Sequence, residues 1–177
     1  GLSTSEGHPT SNLPLRAGKG WMYEGGIREP MIIKWPGVTS PGATSSISVT
    51  STDFYPTMLD MADVSSNEYQ HPDGVSLVPL LEGKNRLDRD ALYWHYPHYG
   101  NQGGSPSAAV RKGAWKLIEF FEDNRVELYN LQDDIGEQTN LSSREPEKVE
   151  ELRSMLHDWY LSVDAQFPSA NSATTAN

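Results

Sequence analysis

Ala108-Ala109-Val110-Arg111-Lys112-Gly113-Ala114-Trp115-Lys116-Leu117-Ile118-Glu119-Phe120-Phe121 reads as two mostly apolar arms about a Lys-Gly step. A two-residue turn at Lys112-Gly113 predicts a β-hairpin, with Ala108 to Arg111 as one arm and Ala114 to Phe121 as the other. Downstream, Glu122-Asp123-Asn124 turns the chain into Val126-Glu127-Leu128-Tyr129, a second hairpin. Upstream, Ala91 to Tyr96 reads as a further strand, joined through Gly100 to Pro106, a loop with three Gly. The sum is an antiparallel meander of three or four strands. Pro146 then opens a helix whose Val149, Leu152, Leu156, Trp159 and Val163 step by three and four. That stripe predicts a helix over 146–163 lying across the meander, with Glu147, Glu150 and Glu151 in or near its first turn, where the helix dipole favours them. Residues 166–177 are small and polar and predict a disordered tail.

Nearer the N-terminus the pattern changes. Residues 1–20 are rich in Ser, Thr, Gly and Pro and read as a long loop. Met31 to Trp35, closed by Pro36-Gly37, suits a buried strand, and Ile47 to Thr50 a second short one. Thr52-Asp53 supplies an N-cap for a helix over 53–62, with Phe54, Met58, Leu59 and Met61 at near-helical spacing. A short apolar segment, Val75 to Leu81, leads into the polar link Glu82 to Asp90, where a subdomain boundary falls.

The 177 residues carry 14 Lys and Arg against 24 Asp and Glu, a net charge of −10, which argues against nucleic acid as a partner. The excess is C-terminal: residues 118–177 hold 4 basic and 13 acidic side chains, a solvated face. No run approaches the roughly 18 apolar residues of a membrane span, so a soluble chain without a span is predicted. Zero Cys excludes disulfides, thiolate zinc sites, Cys nucleophiles and any cofactor made from a Cys side chain. The start, Gly1-Leu2-Ser3-Thr4-Ser5, has no Met, no basic residue and no apolar stretch, and reads as a piece of something longer.

Within the first 34 residues, Arg16-Ala17-Gly18-Lys19-Gly20 places two cations three residues apart beside glycines that let backbone N–H groups approach a ligand. An anion suits that loop: Lys acts as a point charge and Arg can fork two oxygens. Glu24 and Arg28 predict a buried pair tying the loop to the strand at 31–35. Tyr93-Trp94-His95-Tyr96-Pro97-His98-Tyr99 offers aromatic faces and two His ahead of the glycine-rich loop, either a carbohydrate-stacking rim or a buried strand whose polar edges are satisfied internally. Strand alternation sets His95 on the opposite face from Trp94 and Tyr96. His71, in a turn, and His157, on the terminal helix, are read as structural.

The order of segments carries more than any one of them. Pro14-Leu15-Arg16-Ala17-Gly18-Lys19-Gly20-Trp21-Met22-Tyr23-Glu24-Gly25-Gly26-Ile27-Arg28-Glu29-Pro30, Trp35-Pro36-Gly37, Thr52-Asp53-Phe54-Tyr55-Pro56-Thr57, Asp73-Gly74-Val75-Ser76-Leu77, Arg111-Lys112-Gly113-Ala114-Trp115-Lys116-Leu117 and Glu127-Leu128-Tyr129-Asn130-Leu131 resemble, collinearly over residues 1–162, the C-terminal half of the type I sulfatases.

That resemblance implies an α/β, alkaline-phosphatase-like fold. Residues 1–83 would be the C-terminal portion of the catalytic domain and 84–165 a small subdomain. It also implies hydrolysis of sulfate esters by a formylglycine hydrate beside a divalent cation, usually calcium. The C/S-x-P-x-R signature and the metal ligands belong to the family's N-terminal half. The nearest look-alike here, Asn12-Leu13-Pro14-Leu15-Arg16, has Asn where the modified residue stands. No metal site and no catalysis are therefore expected of this chain alone, whose partners would be the N-terminal half of the same protein and a sulfated saccharide or aryl sulfate.

By the same resemblance Lys19 contacts the sulfate group, and Arg16 either lines that pocket or braces the loop. His8 borders the active site, as a hydrogen-bond partner of a sugar hydroxyl or a proton donor to the leaving oxygen. His95 and His98 fall at the pocket rim, and a periplasmic or secreted location follows from the family alone. The alternative is a module that binds sulfated glycan, or is purely structural, without catalysis.

Overall fold

The computed structural model describes residues 11–65, 67, 70 and 73–169. Contacts divide the chain into two compact units, one of residues 1–29 with 91–177 and one of residues 30–90.

The first unit is built on a four-stranded antiparallel meander in sequence order, β1 (Leu92–Tyr96), β2 (Ser107–Lys112), β3 (Trp115–Phe120) and β4 (Val126–Asn130). The central hairpin turns one residue later than the Lys-Gly step suggests: Lys112 pairs with Trp115, leaving Gly113-Ala114 as the loop. Gly113 takes φ +59, in the left-handed region that favours glycine, and this fixes the turn. The correction moves each partner by two residues, so Val110 faces Leu117 and every side chain keeps its predicted face.

Helix α4, Pro146–Ser162, packs on β2 and β3 as its stripe predicts. Leu152 and Leu156 are fully buried against Ala108, Val110, Leu117 and Leu128, each contributing about 2 kcal/mol of apolar burial. The helix stops where Asp164 takes φ +49 and the Ala165 N–H returns to the Tyr160 carbonyl at 3.0 Å, a left-handed C-terminal cap. The start of the predicted disordered tail is ordered, since Phe167 packs edge-on to Tyr160 and Phe121. Residues 170–177 lie outside the described part.

The opposite face of the sheet is buried too. Ala109, Ile118, Phe120 and Tyr129 pack there with Tyr23 and Leu131. Residues 11–29, expected with the 30–83 portion, belong instead to the sheet unit: Tyr23 packs under the strands, and the short helix α1, Glu24–Ile27, begins with a buried Glu24.

The second unit differs more from expectation. Residues 31–35 form no strand, and neither do 47–50. Among the described residues no strand lies beside either segment, and extended backbone without a ladder is not a sheet. Ile32 is 96% exposed, and Trp35 closes a turn through its carbonyl to the Val38 and Thr39 N–H groups.

The helix predicted over 53–62 is a 3-10 turn, Ser51–Asp53, running into α2, Phe54–Met61. Asp53, expected in the acidic first turn after a Thr52 cap, instead precedes α2 and makes no side-chain cap to it. Its Oδ2 accepts from the Thr50 N–H at 2.8 Å, its Oδ1 from the Val75 N–H at 3.0 Å, and Arg89 forks both oxygens at 2.6 and 3.0 Å. Val75 to Leu81 contains a short helix α3, Val78–Leu81, whose preceding Leu77 is 1% exposed, its N–H bound to the Thr57 hydroxyl. No helix among the described residues is long and apolar enough to cross a membrane.

Candidate functional site

The cationic loop is a tight, braced turn. Ala17 takes φ +57 and Gly20 φ +93, and the Trp21 N–H returns to the Gly18 carbonyl at 3.1 Å. Gly18 is buried, while Lys19 stands at the exposed tip, with no ion pair among the described residues. Two sets of backbone hold the turn. Below it, Gly25 and Gly26 of α1 press so closely that a Cβ on Gly26 would lie 2.0 Å from the Trp21 carbonyl oxygen and 2.7 Å from that of Gly18. The Gly25 N–H also donates to the Arg16 carbonyl at 2.9 Å. Beside it runs the Gly100 to Pro106 loop: a Cβ on Gly104 would stand 2.1 Å from the Gly20 oxygen, and one on Gly103 would enter the Trp21 ring. Glycine is required at these positions because backbone meets backbone.

Arg16 faces inward. Its NH1 donates to the Tyr129 hydroxyl at 2.9 Å and to the Glu137 carbonyl at 2.8 Å, and its guanidinium lies 3.8 Å over the Tyr23 ring. The described contacts are those of the bracing role. Partial burial opposes its charge, but Tyr23, Tyr129 and Glu127 outweigh it and the pKa rises. Both tyrosine hydroxyls donate to Glu127 Oε2, at 2.9 and 2.7 Å. Burial, reinforced by that carboxylate, pushes Tyr23 up to about 12 and raises Tyr129 as well, so both stay protonated donors at neutral pH.

Beneath α1 sits a buried ionic cluster that the sequence reading missed. Lys116 on β3 is fully buried and donates from Nζ to Glu24 Oε1 at 3.0 Å and Glu137 Oε1 at 2.8 Å. Glu137 Oε2 accepts the Glu24 N–H at 2.7 Å, and Arg111 adds a contact to Glu24 Oε2 at 3.4 Å. The expected Glu24–Arg28 pair exists at 3.6 Å, but Arg28 is 49% exposed, and Glu24 ties the loop to β3 rather than to a strand at 31–35. Burial raises the Glu137 pKa, with Lys116 opposing it. The available signal was Lys116 sharing a strand face with Ile118 and Phe120, where a solvent-facing lysine does not fit.

Residues 17–166 match the family model described as N-sulphoglucosamine sulphohydrolase, C-terminal. The chain belongs to the sulfatase family. It is 39% identical over 148 residues to a sulfatase of Formosa agariphila, covering 78% of this chain and 27% of that protein. To the N-acetylglucosamine-6-O-sulfatase of Bacteroides thetaiotaomicron it is 35% identical, covering 79% and 26%. The solved structure of BT4656 in complex with its substrate D-glucosamine-2-N,6-O-disulfate superposes with a TM-score of 0.65 at 32% identity, covering 73% of this chain and 27% of that one. The sulfatase chain thus spans about a quarter of the length of these curated relatives. Its architecture is the C-terminal part of the alkaline-phosphatase-like sulfatase fold, four antiparallel strands with a terminal helix.

The sulfatase histidines separate in space. His95 sits on β1 opposite in face to Trp94, as alternation requires, packed among Phe121, Tyr160 and Phe167. Its Nε2 donates to the Gln166 carbonyl at 2.8 Å, leaving a buried Nδ1 without a partner among the described residues. His98 is exposed, edge-on to Tyr96 at 5.4 Å. His8 and His71 lie outside the described residues. His157, read as structural, meets the buried Glu119 at 2.9 Å alongside Arg153 at 2.7 Å, clamping α4 to β3. Burial alone would raise the Glu119 carboxyl; His157 and Arg153 overcome it and hold the pKa below the usual value.

For the calcium implied by the resemblance, no three His, Asp or Glu side chains converge among the described residues to hold a metal.

Proposed function

We propose that this chain is the C-terminal part of a sulfatase that hydrolyses sulfate esters of a carbohydrate, with Lys19 meeting the sulfate group. The Gly18-Lys19-Gly20 turn carries this reading: an exposed ammonium stands on backbone braced by α1 below and by the Gly100 to Pro106 loop beside it. A sulfate monoester keeps a negative charge, shared over its outer oxygens, as the S–O ester bond breaks. A preorganised point charge there stabilises it without reorganisation. Arg16 serves this indirectly, by fixing the start of the turn on Tyr129 and Glu137. The nucleophile and metal ligands come from the remainder of the polypeptide, and this segment by itself is inactive.

Two relatives support a sulfated amino sugar as the substrate class, one named as an N-acetylglucosamine-6-O-sulfatase and one solved with a glucosamine disulfate. Of the histidines, His98 suits a sugar contact, being exposed beside Tyr96 and just ahead of the loop that meets the Lys19 turn. His95 is held in the aromatic cluster, and His8 remains a rim candidate by resemblance alone.

The test is titration of inorganic sulfate and of glucosamine 6-sulfate into the chain, followed by amide chemical shifts. The expected result is a saturable response at Gly18 to Gly20 that Lys19→Ala removes. An unaltered response in Lys19→Ala overturns the assignment.

A further inference from the structure

We propose that Lys116 is the positioning residue for Lys19, a buried cation that sets the position of an exposed one; this rests on the reading of Lys19 as the sulfate contact. Lys116 acts through α1, and each link is a contact of backbone or charge. Nζ of Lys116, with no exposure, joins the carboxylates of Glu24 and Glu137 at 3.0 and 2.8 Å. Glu24 is the first residue of α1, and Glu137 holds that same residue a second time through its N–H at 2.7 Å. The next two residues, Gly25 and Gly26, are those on which the Lys19 turn rests. Gly25 binds the Arg16 carbonyl, and Gly26 leaves no room between itself and the carbonyls of Gly18 and Trp21. A displacement of Glu24 is therefore passed to the turn by close backbone contact, which is stiff, rather than by a side chain that could rotate.

The arrangement also explains why a charge stands where a core strand calls for an apolar group. Ile118 and Phe120 share the face of β3 that bears Lys116, and a methionine would fill the same space. An apolar side chain would pack but would bind neither carboxylate. In some proteins a buried ionic group specifies one arrangement over its neighbours, and this is the role proposed for Lys116. Here that arrangement is the height and direction of α1, and with them the tip of the turn. Arg16, bound to the Glu137 carbonyl, fixes the other end of the turn to the same residue, so Glu137 serves both ends.

The experiment uses the whole chain, with inorganic sulfate as probe and two readouts: sulfate affinity from amide shifts at Gly18 to Gly20, and hydrogen exchange residue by residue. In Lys116→Met the affinity is expected to fall about tenfold, well within what a misplacement of about 1 Å produces. Exchange should rise at Trp21, Gly25 and Gly26 while the β2–β3 ladder stays protected, and Lys116→Arg should restore most of the affinity by keeping the charge. Should Lys116→Met unfold the sheet, Glu137→Gln, which retains the volume, carries the same expectation at smaller amplitude. Unchanged affinity in a folded Lys116→Met, or exchange that rises equally in ladder and turn, overturns the positioning role. If the parent chain shows no sulfate response, the Lys19 reading fails; local exchange then judges Lys116 separately, and unchanged protection of the turn overturns its role.

Discussion

Glu137 accepts the Glu24 backbone N–H through one carboxylate oxygen and the Lys116 ammonium through the other, and both glutamates are buried. The pair ties the first residue of α1 to one 113 positions later in the chain, so the turn bearing Lys19 and the segment after β4 are held by one contact.

Glu137→Ala should make this visible. It removes one of two carboxylates around a buried ammonium and strands a buried N–H, and a loss of about 3 kcal/mol in urea unfolding is expected. Glu137→Gln keeps a hydrogen-bond acceptor and should lose less. Equal losses would mean that the charge, and neither the volume nor the remaining acceptor, sets the cost here.

Gly26→Ala and Gly104→Ala test the bracing of the turn from its two sides. The new Cβ atoms would lie 2.0 and 2.1 Å from carbonyl oxygens, and Gly104 also has φ +80. Each should weaken sulfate binding about tenfold or more through displacement of the turn, while the far-ultraviolet circular dichroism stays close to the parent. Binding at the parent affinity in both would show that the turn tolerates movement.

Acid stability should depend on Glu119. Its folded-state pKa lies below the unfolded value near 4.5, so its clamp on α4 is fully present above that value and is lost as pH falls through the folded one. Thermal melts of the parent should therefore drop steeply below about pH 4.5. Glu119→Gln should start lower at pH 7, by roughly 1–2 kcal/mol, and decline less. Parallel acid profiles for the two proteins would rule the clamp out.

Arg89→Ala leaves Asp53 fully buried opposite no cation. The expected effect is a loss of about 3 kcal/mol or more, confined to residues 30–90. Limited proteolysis should cut that unit sooner while the strands keep their exchange protection. Simultaneous loss of both would show that the units unfold as one.

Leu156→Ala removes a fully buried stripe residue of α4, and a loss of about 2–5 kcal/mol is expected from the cavity. Equilibrium unfolding followed by Trp fluorescence measures it.

Turn signals between apolar runs determined the meander, and periodicity the terminal helix. The apolar arms about a turn signal in 108–121 and the three-four stepping from Val149 to Val163 are local patterns, and burial of each apolar face follows wherever the faces meet. The one-residue error in the hairpin turn left them intact because it moved partners by an even number. Collinear motifs likewise carry the family.

The tertiary structure alone decided what lies beneath that turn. Lys116 reads as a polar residue in an alternating strand. Only the folding of residues 11–29 under the sheet buries it between two glutamates separated by 113 positions in sequence. Nor could the sequence tell that 31–35 would lack a ladder, because β-structure requires a partner that the segment itself does not encode. A local pattern fixes which face a side chain takes; the charge that meets it there depends on distant chain, and only the folded backbone brings the two together.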